Sequence, residues 1–154
     1  MARVLGVLGG MGPAATTAFL ARVQALTPAG ADEDHIRVIA DINPQVPNRH
    51  TQPEAAGRTL GEMARALKAA GAQVLAMPCN TAHAHAGAIR AAGLPFIDMI
   101  AETAKAAGAT GARRVGVLAT PGAALLYAEA LAAEGLEMVA PSPAERERFM
   151  QVVF

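Results

Sequence analysis

The residue best suited to chemistry is Cys79, the only cysteine in the 154-residue chain. It stands in Met77-Pro78-Cys79-Asn80-Thr81-Ala82-His83, directly after the apolar run Gln73–Met77. A thiol between a strand end and a helix start meets free backbone N–H groups and the positive end of the helix. Both favour the thiolate, the reactive form. Read alone, the same residue is more often a small buried apolar group. Asn80 and Thr81 add a side-chain amide and a hydroxyl that could hold a polar ligand. The pair would also serve as a helix cap. Arg49 follows Pro47-Asn48 in the proline-rich stretch Asp41–Pro53. A positioned guanidinium there could grip a carboxylate through two hydrogen bonds, or it is a solvated loop arginine. Cys79, His83 and His85 form C-x₃-H-x-H, but zinc needs three or four converging ligands. On a helix the two histidines point about 200° apart. No metal is therefore expected, with His83 orienting or polarising the loop and His85 at the surface.

Gly10-x-Gly12-x-x-Ala15 formally matches the dinucleotide fingerprint. Pro13 counts against it, because it removes an N–H from the helix start that would hold a pyrophosphate. The acidic cluster Asp32-Glu33-Asp34 precedes the second strand, and Asp41 at that strand's end lies roughly 30 residues on rather than about 20. Gly10 and its neighbours would still let a ligand approach the backbone closely.

These residues lie in loops between alternating strand and helix patterns. Arg3–Leu8 reads as a buried strand, with Pro13 opening a helix through Leu26 that carries Phe19, Val23 and Leu26 on one side. His35–Ala40 reads as the second strand. Glu54–Ala70 follows as a helix with the stripe Leu60, Met63, Ala64 and Leu67, closed by Gly71. Gln73–Met77 is the third strand, Ala82–Ala92 is helical, and Leu94–Ile97 is a short extended piece. Met99–Ala107 is a helix, Arg114–Ala119 a buried strand, Gly122–Glu134 a helix and Glu137–Val139 a strand. Ser142-Pro143-Ala144-Glu145 is a capping box that opens a last helix. Strands alternating with helices predict α/β architecture, a parallel sheet flanked by helices. Ligands bind such sheets where loops leave the carboxyl ends of strands. The loops of that kind are Gly9–Pro13, Asn43–Thr51, Pro78–His83 and Ala119–Gly122.

Composition narrows the function classes. Thirteen Lys+Arg balance thirteen Asp+Glu, so the formal net charge is zero. With no basic run, neither a nucleic-acid binder nor a membrane-surface binder is expected. A lone cysteine allows no internal disulfide. The uncharged stretches around Val4–Ala21 and Ala69–Ile89 are broken by Gly-Pro and by Pro, Asn and His, so no signal or membrane span is expected. A cytoplasmic location is the resulting expectation. About a quarter of the chain is alanine, which favours helix but buries little area per residue.

Leu8-Gly9-Gly10-Met11-Gly12-Pro13, Asn43-Pro44-Gln45-Val46-Pro47-Asn48-Arg49, Met77-Pro78-Cys79-Asn80-Thr81-Ala82-His83 and Gly116-Val117-Leu118-Ala119-Thr120 together resemble the aspartate/glutamate racemase family, in order and spacing. The resemblance runs over essentially the whole chain. It implies a racemase that uses no cofactor, with two pseudo-symmetric α/β lobes and an acidic amino acid between them. One cysteine from each lobe would flank the α-carbon. One thiolate would remove the α-proton and the other, as a thiol, would deliver a proton to the opposite face. Carried across, Cys79 matches the first-lobe catalytic cysteine, and Asn80, Thr81 and Thr120 match positions that hold the α-carboxylate and amine region. Arg49 matches the position that grips the side-chain carboxylate, and Met11 lines the site, with Gly10 and His83 in supporting places.

The chain departs from the family in two ways. The second cysteine of the family, in a Gly-Cys-Thr segment, has no counterpart, and Pro121 follows Thr120 where a hydroxyl residue is common. The expected organisation is a first lobe over 1–98 and the start of a second over 99–154, cut short. An incomplete second lobe would favour association. A homodimer is one assembly that the resemblance allows. Racemisation of aspartate or glutamate is the leading expectation. The alternative is a one-cysteine relative that binds an amino acid or related carboxylate with lost or altered activity. A nucleotide-binding α/β protein stands third.

Overall fold

The computed structural model describes residues 3–153. The chain divides into two compact units, Met1–Asp98 and Met99–Phe154. Each is built from parallel β/α repeats.

The first unit alternates β1 (Leu5–Gly9), α1 (Pro13–Leu26), β2 (Val38–Ile42), α2 (Pro53–Ala69), β3 (Val74–Ala76), α3 (Ala86–Arg90) and β4 (Phe96–Ile97). The four strands form one parallel sheet in the order β2-β1-β3-β4. Chain order reverses at β1: its crossover leads to β2 on one side, and the chain then returns to β3 on the other. The crevice above the carboxyl ends of β1 and β3 is the topological switch point, where open α/β sheets take ligands.

Side chains of β1 alternate between faces, as strand geometry requires. Leu5 and Val7 pack with Phe19, Leu20 and Val23 of α1. Leu8 points the other way, into the larger core with Leu60, Met63, Ala64 and Leu67 of α2. All four members of the expected α2 stripe are buried. On α1 the expected stripe needs correction. Phe19 and Val23 face the sheet, but Leu26 is 64% exposed, at the last turn of the helix.

Two further elements of the first unit differ from expectation. The second strand was expected over His35–Ala40 but runs Val38–Ile42. Pairing explains the shift: Leu5 N donates to the Arg37 carbonyl, and Leu8 and Gly9 stand in register with Asp41 and Ile42, so the ladder follows the full length of β1. His35 instead closes a short 3-10 turn over Asp32–Asp34. The helix expected over Ala82–Ala92 is a 3-10 turn, Thr81–His85, followed by α3. In an α-helix the Cys79 carbonyl would accept the backbone N–H of His83. Here the His83 ring Nδ1 takes that carbonyl at 2.7 Å, and the His83 backbone N donates to Asn80 O at 3.1 Å. A five-residue 3-10 turn aligns few peptide dipoles, so the helix-end argument for Cys79 loses most of its force.

The second unit comprises α4 (Met99–Ala109), β5 (Arg114–Gly116), α5 (Pro121–Ala133), β6 (Glu137–Val139) and α6 (Pro143–Val153). β5 and β6 pair in parallel, with Val115 opposite Met138. Ala104, Leu131 and Leu136 form its core, joined by the half-buried Val115, Val117, Tyr127 and Met138. The buried strand expected over Arg114–Ala119 is shorter and half-exposed. Val115 and Val117 face the helices, while Arg114 is exposed and Leu118 is 64% exposed. A sheet that packs its helices against one face alternates in this way, whereas a sheet covered on both faces gives continuous burial. The capping box is present. Ser142 N donates to Glu145 Oε2 at 2.8 Å, and Glu145 N reaches Ser142 Oγ at 3.4 Å. No described helix is long and apolar enough to cross a membrane.

Candidate functional site

The loop after β1 is shaped by glycine. Gly10 has φ 97°, and a Cβ there would stand 2.4 Å from the Asn43 carbonyl carbon, so only glycine fits. Asn43, the first residue beyond β2, donates its backbone N–H to Gly9 O at 3.1 Å. Its side-chain Nδ2 approaches Met63 Sδ at 3.8 Å. Thr16 on α1 is fully buried. Its hydroxyl accepts the Gly10 N–H at 2.9 Å and donates to Gly12 O at 3.1 Å. Gly12 is the N-cap of α1 and Pro13 its first residue, where the missing N–H costs nothing. The β1 loop is thereby tied to α1 on one side and to the β2 loop on the other.

Cys79 is a free thiol, 9% exposed. Its backbone N donates to Met77 O at 2.9 Å and its carbonyl accepts from His83 Nδ1. Met11 from the β1 loop, Val46 from the β2 loop and Cys79 from the β3 loop belong to one contiguous core cluster with Leu8, Met63 and Met77. Three of the loops picked out in the sequence therefore converge. Asn80 is exposed and Thr81 half-buried at the start of the 3-10 turn. The Asn80 side chain makes no capping bond to that turn, so simple capping does not account for it. Thr120 belongs to the second unit, as the N-cap residue of α5 in an extended conformation.

His83 is 4% exposed. Burial lowers its pKa, outweighing the opposing effects of the Cys79 carbonyl and the Asp98 carboxylate, and Arg90 lowers it further. A carbonyl only accepts, so Nδ1 carries the ring proton. The Nε2 atom lies 4.0 Å from Asp98 Oδ1, too far for a direct hydrogen bond. Asp98 in turn accepts from Arg90 Nη2 at 2.7 Å, and Arg90 lies 5.4 Å above the Phe96 ring. The His83 ring stands 5.4 Å from the same Phe96. No motif in the sequence marks Asp98 or Thr16. Thr16 has a local signal in hindsight: a hydroxyl six residues beyond a Gly-Gly pair, placed to bond back over a helix start. Asp98 has none, because its meeting with His83 depends on β4 lying beside β3.

Arg49 is half-buried, and its Nε is buried with no hydrogen-bond partner. His85, expected at the surface, is more enclosed than that. It is half-buried, its Nε2 is buried without a partner, and its ring lies against Gly57 of α2. Burial lowers its pKa, and the nearby Arg49 charge lowers it further. Among the described residues no three His, Cys, Asp or Glu side chains gather as a metal site would require.

The profile of the Asp/Glu/hydantoin racemase family matches residues 8–153. The chain belongs to this family. Among relatives of this racemase-family chain is the broad specificity amino-acid racemase RacX of Bacillus subtilis (strain 168). It is 30% identical over 109 residues, which cover 66% of this chain and 48% of RacX. The chain thus spans about half the length of that curated relative. The aspartate racemase of Picrophilus torridus superposes with a TM-score of 0.86 at 26% identity, covering 98% of this chain and 66% of that one. An aspartate racemase homologue from Pyrococcus horikoshii shares the fold, with a TM-score of 0.82 at 23% identity, covering 99% of this chain and 70% of that one.

Proposed function

We propose that this chain carries the first-lobe half of a cofactor-independent racemase site for aspartate or glutamate, with Cys79 as one of two acid/base groups. The single observation that carries the reading is the placement of Cys79. It is a free thiol on the loop beyond β3, clustered with Met11 and Val46 of the two neighbouring loops at the switch point of a racemase-family fold.

In this reading the Cys79 thiolate removes the α-proton of the bound amino acid. The electron pair left on the α-carbon delocalises into the α-carboxylate, and Cys79 becomes a thiol. Returning a proton from the same sulfur restores the original enantiomer. Inversion needs a second group on the opposite face, and the chain has no second cysteine. Asn80 and Thr81 would hold the α-carboxylate and amine region, donating hydrogen bonds to the negative charge that develops there. Arg49 would take the distal carboxylate bidentately. Met11 would line the site, and Gly10 would allow the backbone to approach the substrate. His83 would hold the carbonyl of Cys79 and so fix the loop that aims the thiol. A cytoplasmic setting, where thiols stay reduced, suits this chemistry.

The test is exchange of the α-hydrogen of L- and D-aspartate and L- and D-glutamate in D₂O, followed by proton NMR. The expected result is exchange with little net inversion, abolished in Cys79→Ser. Exchange at an unchanged rate in that variant, or neither exchange nor binding with the wild-type chain, would refute the reading.

A further inference from the structure

Among the described residues of the first unit, two buried nitrogens lack hydrogen-bond partners: Arg49 Nε on the loop beyond β2 and His85 Nε2 at the end of the 3-10 turn beyond β3. Native proteins leave few such groups unpaired, and each one calls for an explanation. The Arg49 case is the more pointed. Its Nε–H can only donate, and among the described residues no carboxylate pairs with its guanidinium. An N–H shut away from solvent costs free energy unless an acceptor is supplied from elsewhere. His85 can offer a donor at Nε2 as a neutral ring, and its ring is seated against α2 where Gly57 has no side chain. A Cβ at Gly57 would stand 3.2 Å from His85 Nδ1. The two side chains also sense one another, since the Arg49 charge helps to lower the pKa of His85.

We infer that His85 is a second carboxylate-binding residue beside Arg49, the two unpaired N–H donors forming a cradle for the distal carboxylate of a dicarboxylic ligand. The inference rests on the proposed acidic-substrate site and adds a residue to it. One carboxylate accepts from both donors and supplies a counter-charge to Arg49. A neutral ligand group would supply neither the second acceptor oxygen nor the charge. The absence of a side chain at Gly57 is then a requirement of the cradle, because the ring needs that space.

The test uses the whole chain and measures the affinities of aspartate and of succinate by calorimetry. Succinate has two carboxylates but no α-amino centre, so its binding reports the cradle apart from the reaction. His85→Leu is expected to weaken both ligands about tenfold or more, the usual effect of losing a hydrogen bond to a charged group. His85→Gln, which keeps an N–H near the position of Nε2, should recover most of the loss. Gly57→Ala displaces the ring from the outside and should weaken both ligands, with the fold checked by circular dichroism. Wild-type affinity in His85→Leu, failure of His85→Gln to recover binding, or no binding of either ligand by the wild-type chain overturns the inference. Succinate binding that depends on His85, without Cys79-dependent exchange, upholds the cradle and removes the racemase reading. Cys79-dependent exchange with unchanged affinity in His85→Leu does the reverse.

Discussion

Thr16→Val removes one hydroxyl and keeps the shape of the side chain. Thr16 is fully buried, and its Oγ1 is the acceptor for the buried N–H of Gly10 at 2.9 Å. Without it that N–H has no partner, which costs about 1–3 kcal/mol. The Gly12 carbonyl loses the hydroxyl at 3.1 Å but keeps the Thr16 backbone N at 3.2 Å, so its share of the loss is small. No cavity opens, because valine fills the same volume. The expected destabilisation is about 2 kcal/mol. That lowers Tm by about 4–8 °C if the chain melts as one, and by about twice that if the first unit melts alone. Thr16→Ser is the complementary change. It keeps the hydroxyl but loses Cγ2, which lies 2.4 Å from where a Cβ on Gly9 would stand and so fills the space beside that glycine. Loss of one buried methyl costs about 1 kcal/mol. Amide hydrogen exchange separates the two effects: the Gly10 N–H should lose protection in Thr16→Val and keep it in Thr16→Ser. If Thr16→Val melts with the wild type, or if its Gly10 amide stays protected, the hydroxyl does not hold the β1 loop.

Two other outcomes follow from the same geometry. His83 and His85 both have pKa values lowered from 6.5 by burial, so the folded chain resists protons that the unfolded chain accepts. Stability should be level above about pH 6.5 and fall as pH drops below it toward the lowered folded values. His83→Gln should flatten that slope in urea titrations, and an unchanged slope would show that His83 is not the group responsible. Gly10→Ala places a Cβ 2.4 Å from Asn43 at φ 97°, and should cost at least about 2 kcal/mol, read as a lowered urea midpoint or loss of soluble protein.

Much of this protein was legible along the chain because the information is local. Alternating apolar strands and striped helices follow from side-chain period, which is why α/β architecture, the α2 stripe, Pro13 at a helix start and the Ser142–Glu145 capping box were all readable before any folding. The motifs around Gly10, Arg49 and Cys79 likewise pointed to the family, since each is a contiguous run of residues. The limits of β2 were not local. They follow from pairing with β1, so the strand runs Val38–Ile42 rather than His35–Ala40. The 3-10 turn at Thr81–His85 arises because a histidine ring takes a carbonyl that a helix would have used. His85 read as a surface residue because helical spacing says nothing about Gly57 on another helix, whose missing side chain gives the ring its place. The partnership of His83 with Asp98 and Phe96 depends on β4 lying beside β3. Sequence alone determined which chemistry-bearing residues the loops carry. Tertiary structure decided which of them meet, because strand order and close packing bring together residues that are distant along the chain.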